Sequence, residues 1–143
     1  YTFWKRVNPP MNMIVFDSPD RSACVSSRVL TNTPLQALSL LNDKTFFEAS
    51  QELAKQMFEA DNQLKNQIKF GYFKVMNKDI EEDKLLQLSQ LYNDALLHYE
   101  NNLGTIEFPE LASQYSGKNK YKLAALTMVA NVFLNMDEFI VKE

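Results

Sequence analysis

The sequence predicts an all-α fold of about five main helices in an irregular bundle, with a long non-helical N-terminal arm packed on it. Three observations carry this. Gly (3 residues) and Pro (5 residues) are scarce in 143 residues, so long stretches run without a breaker. Apolar residues recur at helical spacing through most of residues 33–136. The stretch Arg28-Val-Leu-Thr-Asn-Thr-Pro-Leu-Gln-Ala-Leu-Ser-Leu-Leu-Asn-Asp43 holds a complete helix start: a capping residue, a Pro at the first turn, a Leu face and a second cap.

Residues 1–32 form the arm and residues 33–143 the helical body of one domain. Asn8-Pro9-Pro10 imposes extended or turn geometry. Asn12 to Phe16 reads as a strand-like segment, and Asp17-Ser18-Pro19-Asp20 as a turn. Phe3, Trp4, Met11, Met13 and Phe16 make the arm too apolar for a solvated tail, so it is expected to wrap onto the body or onto an upstream segment.

The first helix is predicted over Pro34 to Leu41, capped by Asn32 or Thr33, with Leu35, Leu38 and Leu41 as its apolar face. Asp43 caps a second helix that runs to Ala60. Phe46, Ala49, Leu53 and Met57 form one stripe of it, and Phe47, Ala54 and Phe58 another. A third helix spans Gln63 to Met76, with Leu64, Ile68, Tyr72 and Val75 or Met76 inward, and Asn77-Lys78-Asp79 breaks it. The fourth starts after Asp79, with Glu82 completing a capping-box pattern, and continues through Leu85, Leu88, Tyr92, Ala95, Leu96 and Tyr99 toward Gly104. Phe108 to Ala112 opens a short helix ending near Gly117. The last helix runs from Lys120 to Met136, with Leu123, Leu126, Val129, Ala130, Phe133 and Leu134 inward.

The formal charge is −3. Residues 1–33 hold Lys5, Arg6, Arg21 and Arg28 against Asp17 and Asp20, a balance of +2, which leaves −5 for the rest. An acidic chain without a Lys/Arg-dense stripe is not a nucleic-acid binder. The sequence contains no apolar run of the ~20 residues needed for a membrane span. Cys24 and His98 are the only residues of their kinds, so an internal disulfide, a Cys-x-x-Cys-His haem attachment and a metal site of several His or Cys ligands are all excluded within this chain. Cys24 reads as a small buried apolar residue. The chain starts at Tyr1 inside an aromatic, basic run, and is expected to be the C-terminal piece of a longer multidomain protein.

Three groups are candidates for chemistry. Asp17 and Asp20, with Arg21 and Arg28 nearby, are either an acid–base or cation-ligating pair, or the ion pairs that tie down an irregular loop. Thr31, Asn32, Thr33, Gln36 and Asn42 surround the first helix, where they cap it or meet an anion or sugar hydroxyl. Asn131 and Asn135, one turn apart, act as clamps on loop carbonyls or as ligand contacts. Tyr1, Phe3 and Trp4 either pack into the body or stack on a sugar ring or partner. Gly-rich phosphate loops, Ser-His-Asp sets and nucleophile elbows are absent.

Several of these residues also carry a resemblance. They are Tyr1-Thr-Phe-Trp-Lys-Arg6 with Pro9-Pro10, Phe16-Asp17-x-Pro19-Asp20-Arg21, Cys24, Thr31 to Leu38 with Leu41-Asn42-Asp43, and Ala130-Asn131-x-x-Leu134-Asn135-x-Asp137-Glu138. In this order they resemble the C-terminal part of the planctomycete-type cytochrome-c-associated domain, domain of unknown function 1553. Lys44 departs from the Pro that relatives often carry after the Asn-Asp pair. The resemblance implies a large exported bacterial protein of Planctomycetes or Bacteroidetes, the latter suited by the Asn- and Lys-rich usage here. It also implies an extracytoplasmic location, periplasmic or at the cell surface. An upstream domain holding haem c, and a setting near polysaccharide degradation and sulfatases, belong to the same expectation. It supplies no activity and no catalytic residues. The expected role is a non-catalytic structural or interaction module that packs on sister domains, with polysaccharide or a protein as further partner. The alternative is a glycan-binding or hydrolytic site on the arm, built on Asp17, Asp20, Arg21 and Arg28 and completed upstream.

Overall fold

The computed structural model describes residues 15–16, 33–102 and 109–140. Seven helices and no strand occur among them: α1 (Pro34–Asn42), α2 (Lys44–Ala60), α3 (Leu64–Met76), α4 (Glu82–Asn101), α5 (Glu110–Ser113), α6 (Lys118–Asn135) and α7 (Asp137–Ile140). The predicted helical bundle is thus observed.

The bundle is organised around α6. Leu123, Ala124, Ala125, Leu126, Val129, Ala130 and Phe133 are fully buried there, and a helix buried on most of its circumference must be covered on several sides. α2 and α4 pack along it most extensively, and α3 closes the layer between them. Met57, Ile68, Tyr72, Leu85, Leu88 and Tyr92 complete the core from these neighbours.

Caps set the two N-terminal boundaries. Thr33 Oγ1 accepts the Gln36 N–H at 3.3 Å, and Gln36 Oε1 accepts the Thr33 N–H at 2.9 Å, a reciprocal capping box. Asp43 Oδ1 accepts the N–H groups of Thr45 at 2.8 Å and Phe46 at 3.3 Å, which starts α2 with only Asp43 between it and the end of α1. α3 ends where Asn77 adopts a left-handed conformation (φ 55°) and donates its N–H to the Phe73 carbonyl at 2.8 Å. α5 has Pro109 at its cap position, which offers no side-chain acceptor. Gln51 of α2 supplies one from outside, its Oε1 accepting the Leu111 N–H at 2.9 Å.

Four local expectations are corrected. The inward face of α1 is Gln36 and Leu40, while Leu35, Leu38 and Leu41 are 58%, 56% and 43% exposed. Gln36 tolerates burial because its amide is used at both ends: Oε1 takes the Thr33 N–H and Nε2 donates to the Val15 carbonyl at 2.9 Å. Ala49 on α2 is exposed, and the neighbouring Ser50 and Gln51 are buried, hydrogen-bonded to the Phe47 carbonyl and the Leu111 N–H. α4 begins at Glu82 after Glu81, without a side-chain cap, so Asp79 starts no capping box. Ile80 between them packs against the core, which holds residues 77–81 in a linker. Val15 is helical and Phe16 lies in a turn, not in a strand; residues 12–14 lie outside the described residues.

Candidate functional site

A polar cluster brings Glu138 back onto three side chains that stand between residues 72 and 84. Tyr72 stands near the end of α3, with its ring buried edge-on against Phe133 of α6 at a centroid distance of 5.9 Å. Only the hydroxyl has to find a polar partner, and it donates to Glu138 Oε2 at 2.7 Å. Lys78, just past the left-handed Asn77, reaches the same Oε2 at 2.8 Å. Lys84 reaches Oε1 at 2.5 Å. A Lys in the first turn of a helix opposes the helix dipole, so the Glu138 contact accounts for its place there. Met136 adopts an extended backbone (ψ 142°), ends α6 and turns the chain so that α7 brings Glu138 across the end of α3.

The electrostatics follow from this geometry. The hydrogen bonds from Lys78, Lys84 and Tyr72 hold the Glu138 carboxyl down at about 2. Burial, then the bond to Glu138, raises the Tyr72 phenol. The bond to Glu138 raises both Lys78 and Lys84. Each group is thereby pushed away from neutrality, in the direction that fixes its ordinary charge. General acid–base catalysis needs a group that titrates near the working pH, and nucleophilic catalysis by Lys needs a lowered pKa. The cluster meets neither requirement. It is an ion-paired latch joining α3, the α3–α4 linker, α4 and α7.

Beside the latch lies an open groove of about 550 Å³ between α4 and the end of α6, floored by Leu88, Leu91, Val132 and Met136. Asn135 lines it. Its Nδ2 donates to the Asn131 carbonyl at 2.9 Å and to Asn131 Oδ1 at 3.1 Å, while its own Oδ1 is buried without a hydrogen-bond partner.

The sequence-predicted site residues divide into two sets. Asp17, Asp20, Arg21, Arg28, Thr31 and Asn32 lie outside the described residues, as does Cys24. Gln36 is a buried capping residue, and Asn131 and Asn135 form an intrahelical pair of which Asn135 lines the groove. Gln36 and the Asn pair are at separate places in the fold: Gln36 faces Val15, and Asn135 faces α4. Among the described residues no group of three or more His, Cys, Asp or Glu is arranged to hold a metal ion. No described helix is long and apolar enough to cross a membrane. Haem c does not fit these residues. His98, the single histidine, is exposed on α4 with its Nδ1 3.3 Å from Asn102 Nδ2, and one cysteine cannot supply the two-thioether attachment.

Residues 1–92 match the sequence model of the family described as PSD1, protein of unknown function (DUF1553). The chain belongs to this family. The PSD1 match takes in the arm, α1, α2, α3 and the first half of α4, including Tyr72, Lys78 and Lys84. Glu138 and the Asn131–Asn135 pair fall beyond it. No curated protein and no solved structure matches the chain.

Sequence reasoning missed Lys78, Lys84 and Glu138. The available signals were indirect: an inward Tyr72, whose hydroxyl needed an acceptor, and a carboxylate just past the last long helix. Nothing in the sequence paired residues 66 positions apart.

Proposed function

We propose that this chain is a non-catalytic structural and interaction module of a larger exported PSD1-family protein, packing on sister domains of the same polypeptide. One observation supports the reading: the carboxylate cluster found among the described residues is saturated, with both Glu138 oxygens engaged by three donors and its carboxyl held at about 2. A carboxylate so held contributes cohesion between helices rather than proton transfer. The exported setting, the neighbouring haem-c domain and the link to polysaccharide use rest on the family resemblance, and belong to the same proposal.

The full-length protein tests it. A glycan array and a thermal-shift screen are run on the parent and on Asp17→Asn and Asp20→Asn. The module reading expects parent and variants to respond alike to every glycan. A ligand-dependent shift abolished by either substitution overturns it.

A further inference from the structure

The outer face of α3 combines exposed lysines with exposed aromatic rings; α6 also carries three lysines and no carboxylate, but no exposed Phe. α3 carries Lys65, Lys69 and Lys74 and no carboxylate, in a protein of net charge −3. All three lysines are exposed, and so are Phe70 (40%) and Phe73 (54%). At 100° per residue these five fall on one side of the helix, opposite the inward Ile68, Gly71 and Tyr72. The two Phe rings lie centrally, with Lys65 and Lys69 along one edge and Lys74 along the other.

The protein's own ion pairs are formed by other lysines. Among the described residues they engage Lys44, Lys78 and Lys84. Lys74 donates to the neutral Gln56 amide and stands 5.6 Å from the centre of the Phe70 ring. Asp61, at the head of the helix, is engaged by the Gln63 N–H at 2.7 Å and by Asn66 at 2.9 Å.

We infer that this face is a docking surface for an acidic protein surface, one that presents carboxylates around an apolar recess. The inference rests on the module reading and names the chemistry of its partner. Aromatic anchors ringed by charge are the pattern of protein interfaces, with the rings desolvated and the rim charges selecting the partner. The charge distribution favours a compact partner over an extended polyanion. The basic face extends over a 13-residue helix, about 20 Å long. Screening confines its field to about 8–10 Å. An anionic bilayer or a nucleic acid is extended enough to meet the net negative remainder of the chain at contact range as well, and is repelled there.

The test uses the full-length polypeptide with its sister domains. Carbodiimide joins a lysine only to a carboxylate in direct contact. The expected result is a cross-link from Lys65 or Lys69 to an Asp or Glu of a sister domain, outside residues 1–143. In Lys65→Glu/Lys69→Glu the contact should weaken by at least about tenfold, because like charges across an interface oppose binding. Phe73→Ala leaves all three lysines in place and should also reduce the cross-link. Circular dichroism checks that the variants keep the parent fold. Cross-links to outside carboxylates only from other lysines, such as Lys118 or Lys122, overturn this assignment and leave the module reading standing. An absence of any inter-domain cross-link overturns both. Binding to phosphatidylglycerol vesicles that is lost in the double variant, with no protein cross-link at α3, overturns the protein partner in favour of a lipid surface.

Discussion

Gly71 makes a sharp test of how α3 is seated, because two known effects oppose each other there. It lies in the interior of α3, where Gly is disfavoured by about 1 kcal/mol relative to Ala. On propensity alone, Gly71→Ala should stabilise. The packing says otherwise. A Cβ at residue 71 would stand 2.5 Å from Met57 Sδ and 2.8 Å from Met57 Cγ. Met57 is a flexible side chain, but it is fully buried, so it has little room to withdraw. Overpacking of this kind costs about 1–3 kcal/mol. The larger effect wins, and Gly71→Ala should destabilise by about 1 kcal/mol net, or about 3 °C in Tm for a chain of this size. Urea denaturation with a double-mutant cycle isolates the contact. Met57→Ala should cost about 2–5 kcal/mol in the parent and about 2 kcal/mol less in the Gly71→Ala background, where it also relieves the clash and leaves only the gain of about 1 kcal/mol in propensity. Stabilisation by about 1 kcal/mol, the propensity figure alone, would refute the close α2–α3 approach. That approach is what turns Tyr72 inward and Phe70 and Phe73 outward.

Two further outcomes follow from the polar contacts. Glu138→Gln should destabilise by about 1–2 kcal/mol at neutral pH, a figure reduced for solvent screening at a carboxylate side chain that is 31% exposed. Because the folded carboxyl is depressed from 4.5 to about 2, its contribution is present above about pH 4.5 and is lost as pH falls toward 2. Parent and variant stabilities should therefore converge in acid, as measured by denaturation at stepped pH. Gln51→Leu removes the acceptor for the Leu111 N–H, at a cost of about 1–3 kcal/mol, and hydrogen exchange at the Leu111 amide should accelerate in the variant.

Much of the helical body was legible because its signals are local. Thr33, Pro34 and Asp43 set two helix starts by chemistry that acts within three residues. The inward stripes of α3 and α4 follow a plain helical period, with Ile68, Tyr72, Leu85, Leu88 and Tyr92 buried as expected. α1 misled because leucines stand on most of its circumference, so periodicity alone cannot choose a side. The choice fell to Gln36, whose amide meets Thr33 and Val15. Buried Gln51 and Gln67 were unreadable for a related reason. Each is tolerated only because one specific backbone group, the Leu111 N–H or the Asp61 carbonyl, sits opposite. The latch was the least legible of all. Its four members gain meaning only when the end of α6 turns and carries Glu138 back onto α3.

Glu138 is a fixed structural anion and not a proton carrier. The most direct measurement is the titration of its side-chain carboxyl carbon by NMR in the intact protein. The expected midpoint is about 2, with Lys78 and Lys84, both raised by their bonds to Glu138, staying charged throughout the carboxyl titration. A midpoint at or above the ordinary 4.5 would contradict it, and one between about 6 and 7 would return Glu138 to the range of a working acid–base group.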